Sequence, residues 1–113
     1  MKLYIAGPMR GIPEYNFPKF FEVEAALLAD GDEVFSPARR DVDIGFQWQG
    51  TTGNEDLAAM GFDLRDALAV DLEWICRHAD GVVLLPGWEK SSVATAEEAT
   101  ARALGLTRML WGD

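Results

Sequence analysis

Leu84-Leu85-Pro86-Gly87-Trp88-Glu89-Lys90-Ser91-Ser92-Val93-Ala94-Thr95-Ala96-Glu97 reads as an apolar strand that ends in a Pro-Gly turn and returns as a helix. Open α/β sheets place ligands at such strand-end loops. The helix start adds unpaired N–H groups and a partial positive charge. Glu97 falls within the first two turns of that helix, so the stretch carries both a fold signal and a candidate catalytic carboxyl.

Outward from this unit the chain alternates strand and helix. Lys2–Ala6 is a short apolar run closed by Gly7-Pro8, which predicts a buried strand. Phe17 to Ala29 has helical spacing, with Asn16 predicted as N-cap, Pro18 near the first position and Asp30-Gly31 at the end. Glu33 to Ser36 is a second predicted strand, stopped by Pro37. Ala38 to Gly61 has no clean period and is predicted irregular; loops of that length in small domains are commonly functional. Leu64, Leu68, Leu72, Ile75 and Ala79 predict a helix over Asp63 to Ala79. Gly81 to Leu85 is a third strand, Ser92 to Leu104 a third helix ended by Gly105, and Leu106 to Leu110 a fourth strand at an edge. The expectation is an α/β fold: a small doubly wound parallel sheet, Rossmann-like with flavodoxin-like order, of four to five strands with helices on both faces.

The 113 residues fit one domain spanning 1–113, with 49% hydrophobic and 26% charged residues, ordinary globular values. A net charge of -9 speaks against duplex nucleic acid, whose binding needs clustered Lys and Arg. The single Cys76 excludes an internal disulfide and fits a reducing compartment. With no apolar run of about 18 residues and a first run too short for a signal peptide, the expectation is a cytoplasmic protein without a membrane partner.

Two acids sit off the solvent stripes of their helices. Asp71 lies three residues after Leu68 and four before Ile75; Glu97 has Val93, Ala94, Thr100 and Ala101 as its neighbours at that spacing. Neither has a cation partner on its own helix. Glu98 and Glu73, by contrast, have Arg102 and Arg77 four residues on, so both are read as exposed helix pairs, and Thr95 with Glu98 fits a capping box. In the loop Gly7-Pro8-Met9-Arg10-Gly11, the glycines allow close backbone approach and Arg10 suits a phosphate or carboxylate; a plain turn fits as well. Trp88, Phe46 and Trp48 suit stacking on a nucleobase or simple cover for the core. Arg39-Arg40 reads as a solvated pair. Cys76 and His78 are too isolated for a metal site or a nucleophilic pair, and no metal or organic cofactor is expected.

Tyr4-Ile5-Ala6-Gly7-Pro8-Met9-Arg10-Gly11, Asn16-Phe17, and Leu84 to Glu89 with Ser91 and Glu97 together resemble a small domain of phage and bacterial genomes. That domain is similar to nucleoside 2-deoxyribosyltransferases and 2'-deoxynucleoside 5'-monophosphate N-glycosidases. The likeness covers nearly the whole chain and is weakest over the irregular loop. It implies that Glu97 attacks the anomeric carbon of a 2-deoxyribosyl group and that Asp71 orients or protonates the base. It further implies that Tyr4 and the Gly7–Gly11 loop contact the sugar or its phosphate, and that Ser91 or Ser92 holds the 5' hydroxyl or phosphate. It implies a small nucleoside or nucleotide partner and a homo-oligomer. One departure stands out: the family pattern has Gly-Ala after the Ser pair, and this chain has Val93-Ala94. Valine disfavours positive φ and close backbone approach.

The chemistry is self-consistent, since a buried carboxylate stabilises or captures an oxocarbenium-like sugar and a second acid protonates the departing base. The leading expectation is cleavage or transfer at the N-glycosidic bond of 2'-deoxynucleosides or their 5'-monophosphates. The rival, favoured by Val93, is a non-catalytic nucleotide-binding module. A third reading, an interaction protein with an unused pocket, would be favoured by Glu97 paired with Lys or Arg and closed off from any cavity.

Overall fold

Four short apolar runs pair into one parallel sheet. The computed structural model describes residues 1–112, so only the last position of the 1–113 domain lies outside it. Strands β1 (Lys2–Ala6), β2 (Glu33–Phe35), β3 (Gly81–Leu84) and β4 (Thr107–Leu110) lie in the order β2-β1-β3-β4. Tyr4 pairs with Phe35 on one side and Val82 on the other. This is the flavodoxin-like order with four strands. The chain turns one way from β1 and the other way from β3, so the C-terminal ends of these two central strands form the switch point where such sheets bind ligands.

Strand alternation builds two cores. Leu3, Ile5, Val83 and Leu85 pack on one face with Phe17, Phe20, Val23 and Leu27 of α1 (Phe17–Ala29) and with Ala38 of α2 (Pro37–Asp43). Tyr4, Ala6, Val82 and Leu84 pack on the other with Ile75 of α3 (Leu64–His78) and with Ala94 and Ala101 of α4 (Ser92–Ala103). Helices therefore cover both faces, which is why the central strands are apolar throughout. The four large α1 side chains, each buried, contribute roughly 1.5–3 kcal/mol apiece. The outer strand β4 is mostly exposed, as expected of an edge. No helix among the described residues is long and apolar enough to cross a membrane.

The segment predicted irregular holds a helix. Ser36 is an N-cap whose hydroxyl accepts from the Arg39 N–H, and Pro37 opens α2 instead of merely stopping β2. Asn16 occupies the N-cap position of α1 but makes no side-chain cap; its φ is 64°, and its amide donates to the Pro8 carbonyl at 2.9 Å. Glu14, Tyr15 and Asn16 form a run of left-handed residues, which swings buried Tyr15 under the first loop.

Arg39 stays exposed and Arg40 is partly buried, but each is ion-paired. Arg39 lies 3.0 Å from Glu24 and over the Phe21 ring, and Arg40 reaches Asp66 at 2.8 Å. Glu98 is not an exposed helix acid: it is 5% exposed and held by Arg102 at 3.2 Å and Arg108 of β4 at 2.7 Å. No capping box forms with Thr95, because α4 starts earlier, at the Ser91 cap. The Glu73–Arg77 pair is exposed, at 3.6 Å.

Candidate active site

The loops after β1 and β3 meet because the strand ends are close. A Cβ on Gly7 would stand 2.7 Å from the Leu85 Cβ, so only glycine lets the first loop pass there. Beyond them opens a cavity of about 730 Å³, within the range of small-molecule sites. Gly7, Pro8, Met9, Arg10 and Gly11 line one side; Ser91, Ser92 and Val93 line another. Asp71 from α3 and Glu97 from α4 both reach this cavity, so the acids set apart by their helical spacing share one pocket.

Glu97 is 2% exposed and accepts a 2.5 Å hydrogen bond from the Tyr4 hydroxyl. It is therefore a buried group. Tyr4 is itself buried, stacked on Phe35 and tilted against Trp74, so its hydroxyl is rigidly placed behind the carboxyl. Asp71 is 5% exposed, and its Oδ1 is buried with no hydrogen-bond partner among the described residues. Native buried polar atoms are nearly always paired, so this orphan, on a residue that lines the cavity, departs from the usual pattern.

Burial raises the pKa of both acids. Asp71 is pushed up to about 6 by desolvation, against the opposing pull of Tyr4, Arg40 and Glu97. Glu97 is held well above the usual carboxylate range, first by desolvation and then by the Asp71 charge, while the Tyr4 hydrogen bond favours its ionised form. The two interact as one titrating unit. Two carboxyls that cannot both ionise freely are the pattern from which an acid and a nucleophile are made.

The remaining residues of the predicted site divide. Ser91 lines the cavity, and its hydroxyl oxygen accepts from the Ala94 N–H, leaving its own hydrogen to donate. Ser92 is exposed at the rim. Arg10 is exposed, and Lys90, which the sequence did not single out, joins it on the lining. Val93 lies inside α4 and is not among the positive-φ residues, so the conformational part of the objection to it lapses; its bulk still faces the cavity. Trp88 is not on the lining; it packs against the core formed with α3 and α4. Trp48 packs on Phe17 and Phe21. Of the aromatics named for stacking, only Phe46 lines the cavity, with Phe62 at a ring distance of 5.6 Å.

A further acid was missed. Asp41 of α2 is 5% exposed and lines the same cavity. Its signal lay in Ser36-Pro37, an N-cap followed by a first-turn proline, which marks a helix start. Reading Pro37 only as a strand stop hid the helix and the acid it carries.

No curated protein and no solved structure matches the chain. A family model covers residues 1–109, and the chain belongs to that family, DUF4406, described as a domain of unknown function.

Proposed function

We propose that this protein breaks the N-glycosidic bond of 2'-deoxynucleosides or their 5'-monophosphates, with Glu97 as nucleophile and Asp71 as acid. The observation that carries the reading is the buried Tyr4–Glu97 hydrogen bond beside the unpartnered Asp71 Oδ1, all at the sheet's switch point. Glu97 Oε forms a bond to the anomeric carbon as the bond from that carbon to the base nitrogen breaks. Asp71 gives its proton to the departing base. Water, or a second base, then attacks the same carbon and releases Glu97, which yields hydrolysis or transfer. The reactive form has the pair's shared proton on Asp71, whereas burial raises Glu97 above Asp71; the Tyr4 hydrogen bond orients Glu97 and favours its ionised form against that burial. Among the described residues no Lys or Arg pairs with Glu97, and it lines an open cavity; both speak against an interaction protein with an unused pocket.

The Ser91 hydroxyl and the cationic rim of Arg10 and Lys90 suit a 5' hydroxyl or phosphate. Val93 at the helix start favours the second reading, a non-catalytic nucleotide-binding module in the same cavity. Both are decided by incubating the protein with each deoxynucleoside and each monophosphate and separating free base by chromatography. Base release that is lost in Glu97→Gln, together with a 2-fluoro sugar adduct mapped to Glu97 by mass spectrometry, is the expected result. No release from any substrate, with binding intact, leaves the binding module. Assembly into a homo-oligomer, implied by the same resemblance, is read by sedimentation.

A further inference from the structure

We propose that Asp41 contacts the hydrogen-bonding edge of the base and sets which base the site accepts. As a carboxylate it takes the guanine edge, with its adjacent N–H donors; as a neutral acid it takes edges offering one donor and one acceptor, such as adenine and cytosine. This rests on the N-glycosidic reading of the cavity for the identity of the ligand, and on the following geometry for the role of Asp41.

Asp41 is a buried cavity residue whose carboxylate is held only loosely. Its nearest cation, Arg40, is 3.8 Å away and makes its closer contact, 2.8 Å, with Asp66. Together with Asp71, whose Oδ1 is orphaned, it gives the cavity a second buried acid whose pairing a bound polar edge would complete.

The sheet gives the register. In the order β2-β1-β3-β4, α2 follows the outer strand β2, α3 crosses from β2 to β3, and α4 follows β3. Asp71 of α3 thus comes between Asp41 of α2 and Glu97 of α4 along the cavity they all line. With the anomeric carbon at Glu97 and the base nitrogen at Asp71, the far edge of the base points to Asp41. Phe46, Leu57, Phe62 and Leu68 on the lining supply the apolar faces that a planar base needs.

An ionised carboxyl only accepts, whereas a neutral one has one donor and acceptor capacity besides. Burial, then the Asp71 charge, hold the Asp41 carboxyl up at about 7, with Arg40 opposing. The other charged groups on this cavity are Arg10 from the first loop, Lys90 from the turn after β3, Asp71 from α3 and Glu97 from α4. Of these, the two acids are also held above their ordinary range by burial. The test must therefore separate Asp41 from both.

The experiment measures equilibrium binding of deoxyguanosine and deoxyadenosine at about pH 5.5 and about pH 8.5, either side of the raised Asp41 value. Base release is followed in parallel, in wild type, Asp41→Asn and Asp41→Ser. A two-point base contact discriminates by about tenfold or more, so the guanine-to-adenine preference should rise by about that factor with pH in the wild type. In Asp41→Asn, whose amide always has one donor and one acceptor, the preference should stay flat. In Asp41→Ser it should be small at both pH values. A flat wild-type preference, a rise that persists in either variant, or no binding of either nucleoside overturns the proposal. Selective binding without base release defeats the enzymatic reading and leaves Asp41 as a base-reading residue. Base release without pH-dependent preference does the reverse.

Discussion

Asp71→Asn should make the protein more stable and less active, and the gain should depend on pH. The structure holds the Asp71 carboxyl at about 6 against an ordinary 3.8. A change of one in pKa corresponds to ~1.4 kcal/mol, so the charged form costs the fold up to ~3 kcal/mol. Below about pH 4 the acid is protonated in folded and unfolded chains alike, and the substitution changes little. Between about pH 4 and about pH 6 the unfolded chain gives up its proton while the folded chain keeps it, so wild-type stability falls as pH rises. Above that window the full penalty is present, and the isosteric amide, whose N–H donors can turn to Glu97, removes it. At ~4 °C or more per kcal/mol for a chain this size, the variant should melt up to ~10 °C higher at about pH 8 and close to wild type at about pH 4. Loss of a general acid should also lower base release by ~10²-fold or more. Thermal melts followed by circular dichroism across that range, with base release from the same samples, provide the test. A variant that is equally shifted at both ends of the range, or is destabilised at the alkaline end, refutes the claim that Asp71 is a buried acid kept against stability for its chemistry.

Three further substitutions probe the surroundings. Tyr4→Phe keeps the ring stacked on Phe35 but removes the donor to Glu97; the carboxyl should become harder to ionise, and the acidic limb of the pH–rate profile should move to higher pH. An unmoved limb would separate Tyr4 from the ionisation of Glu97. Glu98→Ala should cost ~2 kcal/mol, because charge-assisted hydrogen bonds to Arg102 and Arg108 are lost from a buried carboxylate; a urea midpoint change worth only a few tenths would return it to the class of exposed helix pairs. Gly53→Ala should destabilise by ~2 kcal/mol or more, since φ is 92° and the new Cβ would collide with the Ile12 carbonyl oxygen. Loss of the Gly11 N–H bond to Gly53 O should be visible as faster amide exchange at Gly11.

Local signals in the sequence were enough for most of the architecture. Lys2–Ala6 and Gly81–Leu84 are short, apolar and bounded by glycine or proline, and such runs can only be central strands once helices alternate with them. The spacing of Leu68, Asp71, Leu72 and Ile75 already put a carboxyl on a buried helix face, and Glu97 lacked any cation at helical reach. Those are one-dimensional facts, because helix periodicity is a property of neighbouring residues. What lay between non-neighbours was beyond such reading. Glu98 looked satisfied by Arg102 on its own helix, yet Arg108 comes from β4 and the packing of α4 on the sheet buries the acid. Trp88 suited stacking or core cover alike, and the fold of its turn packs it, partly buried, against the core. The helix that carries Asp41 was legible in Ser36-Pro37, but its place at the site was not, because only the order β2-β1-β3 brings α2 to the cavity that α3 and α4 share. Residue type and spacing thus named the chemistry of single side chains, while tertiary packing decided which of them lose water, meet one another and share a proton.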